Sequence, residues 1–182
     1  MRFSLLLLML LTGCATTPVA LQRPAQADAP FAFNGRIAFK QGEKRDTAGV
    51  RWVHSSAEDE ILLLAPLGQT MARIHRDAQE ATLDASSKHY TAQDMESLMQ
   101  QALGWQLPLS GLRYWVTGVP APGSESGVER EANGQMSVLN QQGWSISYSR
   151  YAAETPDALP LRLNLKREDM EVVLLIDEWE AQ

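Results

Sequence analysis

From Phe31 onward, apolar residues recur mainly at every second position, and this rhythm is broken once, mid-chain, by helical spacing. A period of two fits a strand with one face on a core and the other in water. Phe33, Gly35, Ile37 and Phe39 alternate with Asn34, Arg36, Ala38 and Lys40, and a polar turn from Gln41 to Asp46 leads into Ala48 to His54. This predicts a hairpin. Ile61 to Ala65 and Thr70 to His75, flanking Pro66-Leu67-Gly68, predict a second one, while Glu80 to Ala85 and Lys88 to Tyr90 suggest further short strands. Toward the C-terminus Trp144, Ile146 and Tyr148 alternate with serines, and Leu161, Leu163 and Leu165 alternate with Arg162, Asn164 and Lys166. Met170 to Trp179 closes the chain as an apolar strand.

Between the two strand groups, Met95, Leu98, Met99, Ala102 and Leu103 form one helical stripe. Thr91 can cap that helix with Asp94 three residues on, and Gly104 lies where it would end. A weaker helix runs from Ser110 to Val116, and Pro120 to Gly134 reads as a solvated loop. Many antiparallel strands with helices on one side predict a mainly β, α+β fold. A sheet curled around the helical insert would enclose an apolar space, which periodicity alone leaves either filled by side chains or open to a ligand.

The N-terminus carries a different signal. Arg2 precedes an uncharged apolar stretch from Phe3 to Leu11, too short to span a bilayer, and small Thr12 and Gly13 precede Cys14, the only cysteine of the chain. Residues 1–13 read as a signal peptide, and Leu11-Thr12-Gly13-Cys14 resembles the bacterial lipobox. Cleavage before Cys14 would leave it N-acylated and S-diacylglycerylated, with more than one chain and hence a stable anchor. An ordinary signal peptide with a chance cysteine is the other reading. Residues 14–29, rich in Ala, Thr, Pro and Gln, are expected to be a flexible tether, and residues 30–182 one domain.

Composition excludes several function classes. The formal net charge is −6, and losing the leader would remove one Arg and no acid, so a nucleic-acid surface of clustered Lys and Arg is not expected. With its only thiol lipidated, the mature chain would have neither a disulfide nor a cysteine-held metal. His54, His75 and His89 are too scattered for a zinc site and read as surface or strand histidines. No G-x-S-x-G elbow or phosphate loop is present, and Gly123-Ser124-Glu125-Ser126-Gly127 has Glu where a nucleophile would stand. Glu58, Asp59 and Glu60, like Asp177, Glu178 and Glu180, read as solvated faces. No catalytic residue, cofactor or metal is expected.

Apolar side chains are the conspicuous resource. Trp52, Trp105, Trp115, Trp144 and Trp179, with Met71, Met95, Met99 and Met170, fit either an aromatic core or a cavity for something flexible and apolar. Ala65-Pro66-Leu67-Gly68 fits a type I turn, with Pro second and Gly fourth. That puts Leu67 at a hairpin tip, either folded back on the core or exposed to a membrane or partner.

Several segments together, Asn34-Gly35-Arg36-Ile37, Trp52, Leu63 to Thr70, Tyr90 to Asp94, Leu107-Pro108-Leu109, Leu112 to Gly118, Gln142-Gly143-Trp144 and Trp179, resemble the LolB family of outer-membrane lipoprotein receptors. The resemblance covers essentially the whole chain. It implies an incomplete, curled antiparallel β-barrel whose α-helical lid encloses a hydrophobic cavity, with Trp52, Leu64, Met95, Leu98, Met99, Leu103, Trp105, Trp115, Trp144, Ile146 and Tyr148 as candidate lining and lid residues. It further implies a monomeric, non-enzymatic receptor that accepts lipoproteins from the periplasmic carrier LolA and inserts their acyl chains into the phospholipid of the outer membrane's inner leaflet. Pro66, Leu67 and Gly68 match the family's membrane-insertion loop, and Ala15 after the cysteine, where Asp would favour inner-membrane retention, implies an outer-membrane, periplasm-facing location. Leaving one acyl chain in water costs on the order of 10 kcal/mol, so such cargo needs shielding throughout its transfer. The competing classes are a lipid-anchored envelope scaffold with a solid interior and a lipid-anchored hydrolase.

Overall fold

Gly42, with φ +57°, sits at the first position of a two-residue turn that joins β1 (Phe31–Gln41) to β2 (Lys44–His54), and this tight turn fixes their register. The hairpin is longer than the alternation suggested. Exposed Lys44, Arg45, Asp46 and Thr47, read from sequence as turn and approach, continue the ladder because each pairs with a residue of β1. The computed structural model describes residues 22–23, 27–104 and 107–181. Cys14 and Trp105 lie outside the described residues, as does the side chain of Leu103.

β3 (Asp59–Leu64), β4 (Thr70–Arg76), β5 (Ala81–Ala85) and β6 (Lys88–Ala92) continue the meander. Helices α1 (Met95–Leu103) and α2 (Leu109–Trp115) follow. A second meander, β7 (Ser126–Arg130), β8 (Met136–Gln141), β9 (Trp144–Tyr151), β10 (Pro160–Arg167) and β11 (Met170–Glu180), brings the chain back to pair β11 with β1. The result is one antiparallel sheet in the order β6-β5-β4-β3-β2-β1-β11-β10-β9-β8-β7, curled but not closed. Its free edges, β6 and β7, are the strands that the helical segment connects. That places both helices on the inner face.

Three further differences from the sequence reading have local causes. Pro120 to Gly134 contains β7, whose residues are all exposed and therefore carry no alternation, and β8 completes that hairpin. Thr91 belongs to β6, and α1 is capped instead by Asp94, whose carboxylate accepts from the Ser97 amide at 2.7 Å. Within the stretch expected to be a tether, Gln22 bridges to Ala158, the Arg23 amide donates to the Asp157 carbonyl at 2.7 Å, and Asp28 reaches His54. The segment is thus tied to the domain well before Phe31.

The inner face divides into two unlike halves. Over β8 to β10 the described side chains pack as core: Trp115 and Trp144 are fully buried with Leu139, Ile146, Leu163 and Leu165. Gln141 fastens α2 there, its carbonyl accepting from Trp115 Nε1 and the Ala121 amide at 2.8 Å each while its amide donates to the Ala121 carbonyl at 2.7 Å. Tyr148 Oη donates to the Trp115 carbonyl at 3.0 Å. Burial pushes the Tyr148 phenol above its ordinary range, so it remains a neutral donor. α1 instead covers β5 and β6 at the other end, with Met95, Leu98 and Met99 buried beneath it.

Candidate functional site

Between these two ends, over β1 to β4 and β11, the inner face is not filled. A cavity of about 400 Å³ lies there. Alternation along the strands supplies its sheet side: Phe33, Ile37 and Phe39 from β1, Val50 and Trp52 from β2, Ile61 and Leu63 from β3, Ile74 from β4 and Leu174 from β11. Met99 of α1 and Leu107, Leu109 and Leu112 around the α1–α2 link form the opposite wall. Exposed Asp46 and Thr47, with Met71 at 43% exposure, mark the rim. Apart from the rim, the side chains named above are apolar, so among the described residues the wall offers almost no hydrogen-bonding partners and suits a flexible hydrocarbon.

The end beside Trp52 is closely packed and hydrogen-bonded. Phe33 and Trp52 pack with Phe31 and Trp179, with ring centroids 5.3 Å apart for Phe31–Trp52 and for Phe33–Trp179. Trp179 Nε1 donates to the Pro160 carbonyl at 2.9 Å, and Trp52 Nε1 donates to Asp59 at 2.9 Å. Asp59 is only 2% exposed and also meets His54 Nδ1 at 2.6 Å and Arg76 Nε at 2.6 Å. The second His54 nitrogen faces Asp28 at 3.2 Å, and Arg113 of α2 lies 3.6 Å from the same carboxylate. Desolvation raises the Asp59 pKa, but His54, Trp52 and Arg76 outweigh it and hold the carboxyl below its usual range. His54 and Asp59, read from sequence as a strand histidine and part of a solvated face, thus form a buried network that clamps β2, β3 and β4 beside the cavity.

Of the lining residues expected from sequence, the structure brings Trp52 and Met99 to the cavity. Met95 and Leu98 are buried under α1 but do not line it. Trp115, Trp144, Ile146 and Tyr148 belong to the solid half beneath α2, so the α1 stripe does not face Trp144 or Tyr148. Leu64 points the other way. It pairs with Gly49 and lines a groove on the outer face of the sheet, whereas its neighbour Leu63 faces the cavity. Leu107, Leu109 and Leu112 were missed as lining residues, although the apolar residues around Pro108 were a signal in plain view.

The Pro66 turn has the expected geometry. The Gly68 amide donates to the Ala65 carbonyl at 2.8 Å and the Ala65 amide to the Gln69 carbonyl at 2.9 Å, closing a three-residue loop. Gly68 has φ +84°, the left-handed conformation that such a loop needs and that glycine adopts without strain. Leu67 does not fold back. It is 86% exposed, against 43% for Met71, the next most exposed large apolar residue among the described residues.

Comparison with known proteins agrees with this architecture. The sequence model of the family described as Outer membrane lipoprotein LolB matches residues 29–179. The chain is 40% identical over 177 residues to an outer-membrane lipoprotein LolB of Chromobacterium violaceum, covering 96% of this chain and 95% of that one. It is 36% identical over 192 residues to the Nitrosomonas europaea LolB, covering 97% and 90%. Among solved structures, a LolA superfamily protein from Nitrosomonas europaea superposes with TM-score 0.53 over 85% of this chain and 87% of that one, at 9% identity. A putative outer-membrane lipoprotein-sorting protein domain from Vibrio parahaemolyticus gives 0.52 over 88% of each, at 10% identity, and these two likenesses carry the fold alone. Sequence match, relatives and curled sheet converge: the chain belongs to the LolB family of outer-membrane lipoproteins, which are localisation proteins of the outer membrane and not enzymes.

Proposed function

We propose that this chain accepts lipoproteins from the soluble carrier LolA by taking an acyl chain into the cavity between α1–α2 and the β1–β4 sheet, and then delivers the cargo to the inner leaflet of the outer membrane. The observation that carries this reading is the unfilled apolar cavity. At about 24 cal/mol per Å³, an enclosed void of about 400 Å³ would cost on the order of 10 kcal/mol, comparable to the whole stability of a domain. The open rim lowers that figure, but a protein that only scaffolded would gain by filling the space. Transfer needs no nucleotide if hydrocarbon binds better here than in the carrier and better still in a bilayer. Cys14, as the lipid-bearing residue, holds the receptor at the membrane it serves, and Leu67 is the side chain that enters the bilayer surface at delivery.

The test is a fluorescent fatty-acid probe titrated into the full chain. Wild type should bind it, and Leu107→Glu, which puts a charge in the apolar wall, should bind it far more weakly because an unpaired buried charge is costly. A folded Leu107→Glu protein with unchanged affinity overturns the reading. Finding the mature protein free of acyl chains by mass spectrometry would overturn the assignment of Cys14.

A further inference from the structure

The cavity has a neighbour on the opposite side of the same strands. A groove of about 490 Å³ runs along the outer face, lined by Ala38 and Gly49, by Leu64, Ala65, Pro66 and Gly68 at the base of the Leu67 turn, and by Val173 and Leu175. The outward face of an antiparallel sheet is ordinarily polar. Over β9 and β10 it is, with Ser145, Ser147, Ser149, Arg162 and Lys166 all exposed. Beneath the Leu67 turn it is mainly apolar, with Arg36, paired to Asp177, and Thr47 as its polar lining residues, and Gly49 keeps it open: a Cβ there would lie 3.2 Å from that of Leu64.

Ile37, Thr47 and Ala48 line both the groove and the cavity. The ladder explains how two faces can share residues. β3 ends at Leu64, opposite Gly49, so β2 from Lys44 to Ala48 has no β3 partner, and the sheet is one strand short at this point. The gap opens between β2 and the Leu67 turn.

We propose that this gap is a lateral portal and the outer groove a second acyl-chain site, occupied by cargo hydrocarbon on its way from the cavity to the bilayer. The inference rests on the cavity's holding an acyl chain, as proposed above. The number of chains supports it. An anchor carrying an N-acyl and a diacylglyceryl group brings three chains, each of which must be kept from water. The groove, which shares three lining residues with the cavity and lies beside the exposed Leu67 side chain, supplies a second apolar surface for one of them.

The test uses the full chain with a photo-crosslinking residue at Ala38, on the groove, or at Val138, on the outer face of the far half. Each is loaded with a triacylated lipoprotein carrying tritiated acyl chains and released into liposomes. Ala38 should capture tritium and Val138 should not. Ala38→Trp, which fills the groove without entering the cavity, should load normally and release more slowly. Each methylene left in water is worth about a factor of four, so losing contact for two or three slows release by roughly tenfold or more. Should Ala38→Trp not fold, Val173→Gln in the same groove carries the kinetic measurement. Capture of labelled liposome phospholipid in place of cargo, no capture at all, or release at the wild-type rate overturns the portal. The fatty-acid titration separates this from the parent reading: a wild type that binds the probe, and loses it in Leu107→Glu, while the groove results are negative, sinks the portal alone.

Discussion

Leu67 offers a clean separation of stability from function, because a side chain that contributes almost nothing to the fold should matter greatly to delivery. Full burial of a leucine is worth about 1.5–3 kcal/mol. At 86% exposure Leu67 withdraws about one-seventh of its surface from water, worth about 0.2–0.4 kcal/mol, so Leu67→Ala should leave the denaturation midpoint nearly unchanged. Truncating fully buried Leu163 or Leu165 should cost about 2–5 kcal/mol in the same assay. If the tip enters the bilayer, the same 1.5–3 kcal/mol is recovered there, equivalent to roughly 10- to 150-fold in partition. Leu67→Glu should therefore take cargo from the carrier at the wild-type rate and pass it to liposomes one to two orders of magnitude more slowly. The assay follows both steps in one preparation. Loading and release slowed equally, or a variant several kcal/mol less stable than wild type, would refute the reasoning and return Leu67 to the core.

Asp59→Ala should destabilise by about 3–5 kcal/mol in a chemical melt, since it leaves Arg76 and His54 without their buried partner. Because the folded Asp59 pKa is depressed, its contribution is present above the unfolded carboxylate value near ~3.9 and is lost as pH falls through the folded value, so the acid side of the stability profile should flatten in Asp59→Asn. Gln141→Leu should cost about 1–3 kcal/mol for each of the Trp115 Nε1 and Ala121 amide donors it orphans, read by thermal melting. Asp94→Ala removes the α1 cap and should cost about 1 kcal/mol, with Asp94→Ser recovering most of it.

Alternation revealed the faces of the strands but not what lies between them. Phe33, Ile37, Phe39 and Trp52 lie on the inward face as the alternation predicts, and the same parity counted from Ile61 turns Leu63 in and Leu64 out, so the outward placement of Leu64 is legible in the sequence. Whether an inward residue meets a helix or a void depends on where α1 and α2 sit, which period cannot encode. Trp144, Ile146 and Tyr148 are as well patterned as Trp52, yet α2 lies on them. β7 was hidden because both its faces are wet. Asp59 was hidden because its burial comes from long-range partners, Asp28 through His54 and Arg76 from the next strand, that a local run of acids does not announce.

The division of the inner face also predicts where the molecule yields when it loads. α2 is fastened to the sheet by Gln141, by Tyr148 and by two buried tryptophans, so moving it would break several buried hydrogen bonds at about 1–3 kcal/mol each. α1 rests on β5 and the free edge strand β6, whose residues are all exposed or half-buried, and among its described side chains Met99 alone lines the cavity. Widening the cavity should therefore displace α1 with the β5–β6 edge and leave α2 in place. Amide hydrogen exchange measures this directly, because local opening free energies follow local packing and hydrogen bonding. Without cargo, amides of α1 and β6 should exchange faster than those of α2 and β9, and a bound fatty acid should slow α1 most. Equal protection of the two helices, or a ligand effect confined to α2, would show that the lid moves as one body and that the solid half is not its anchor.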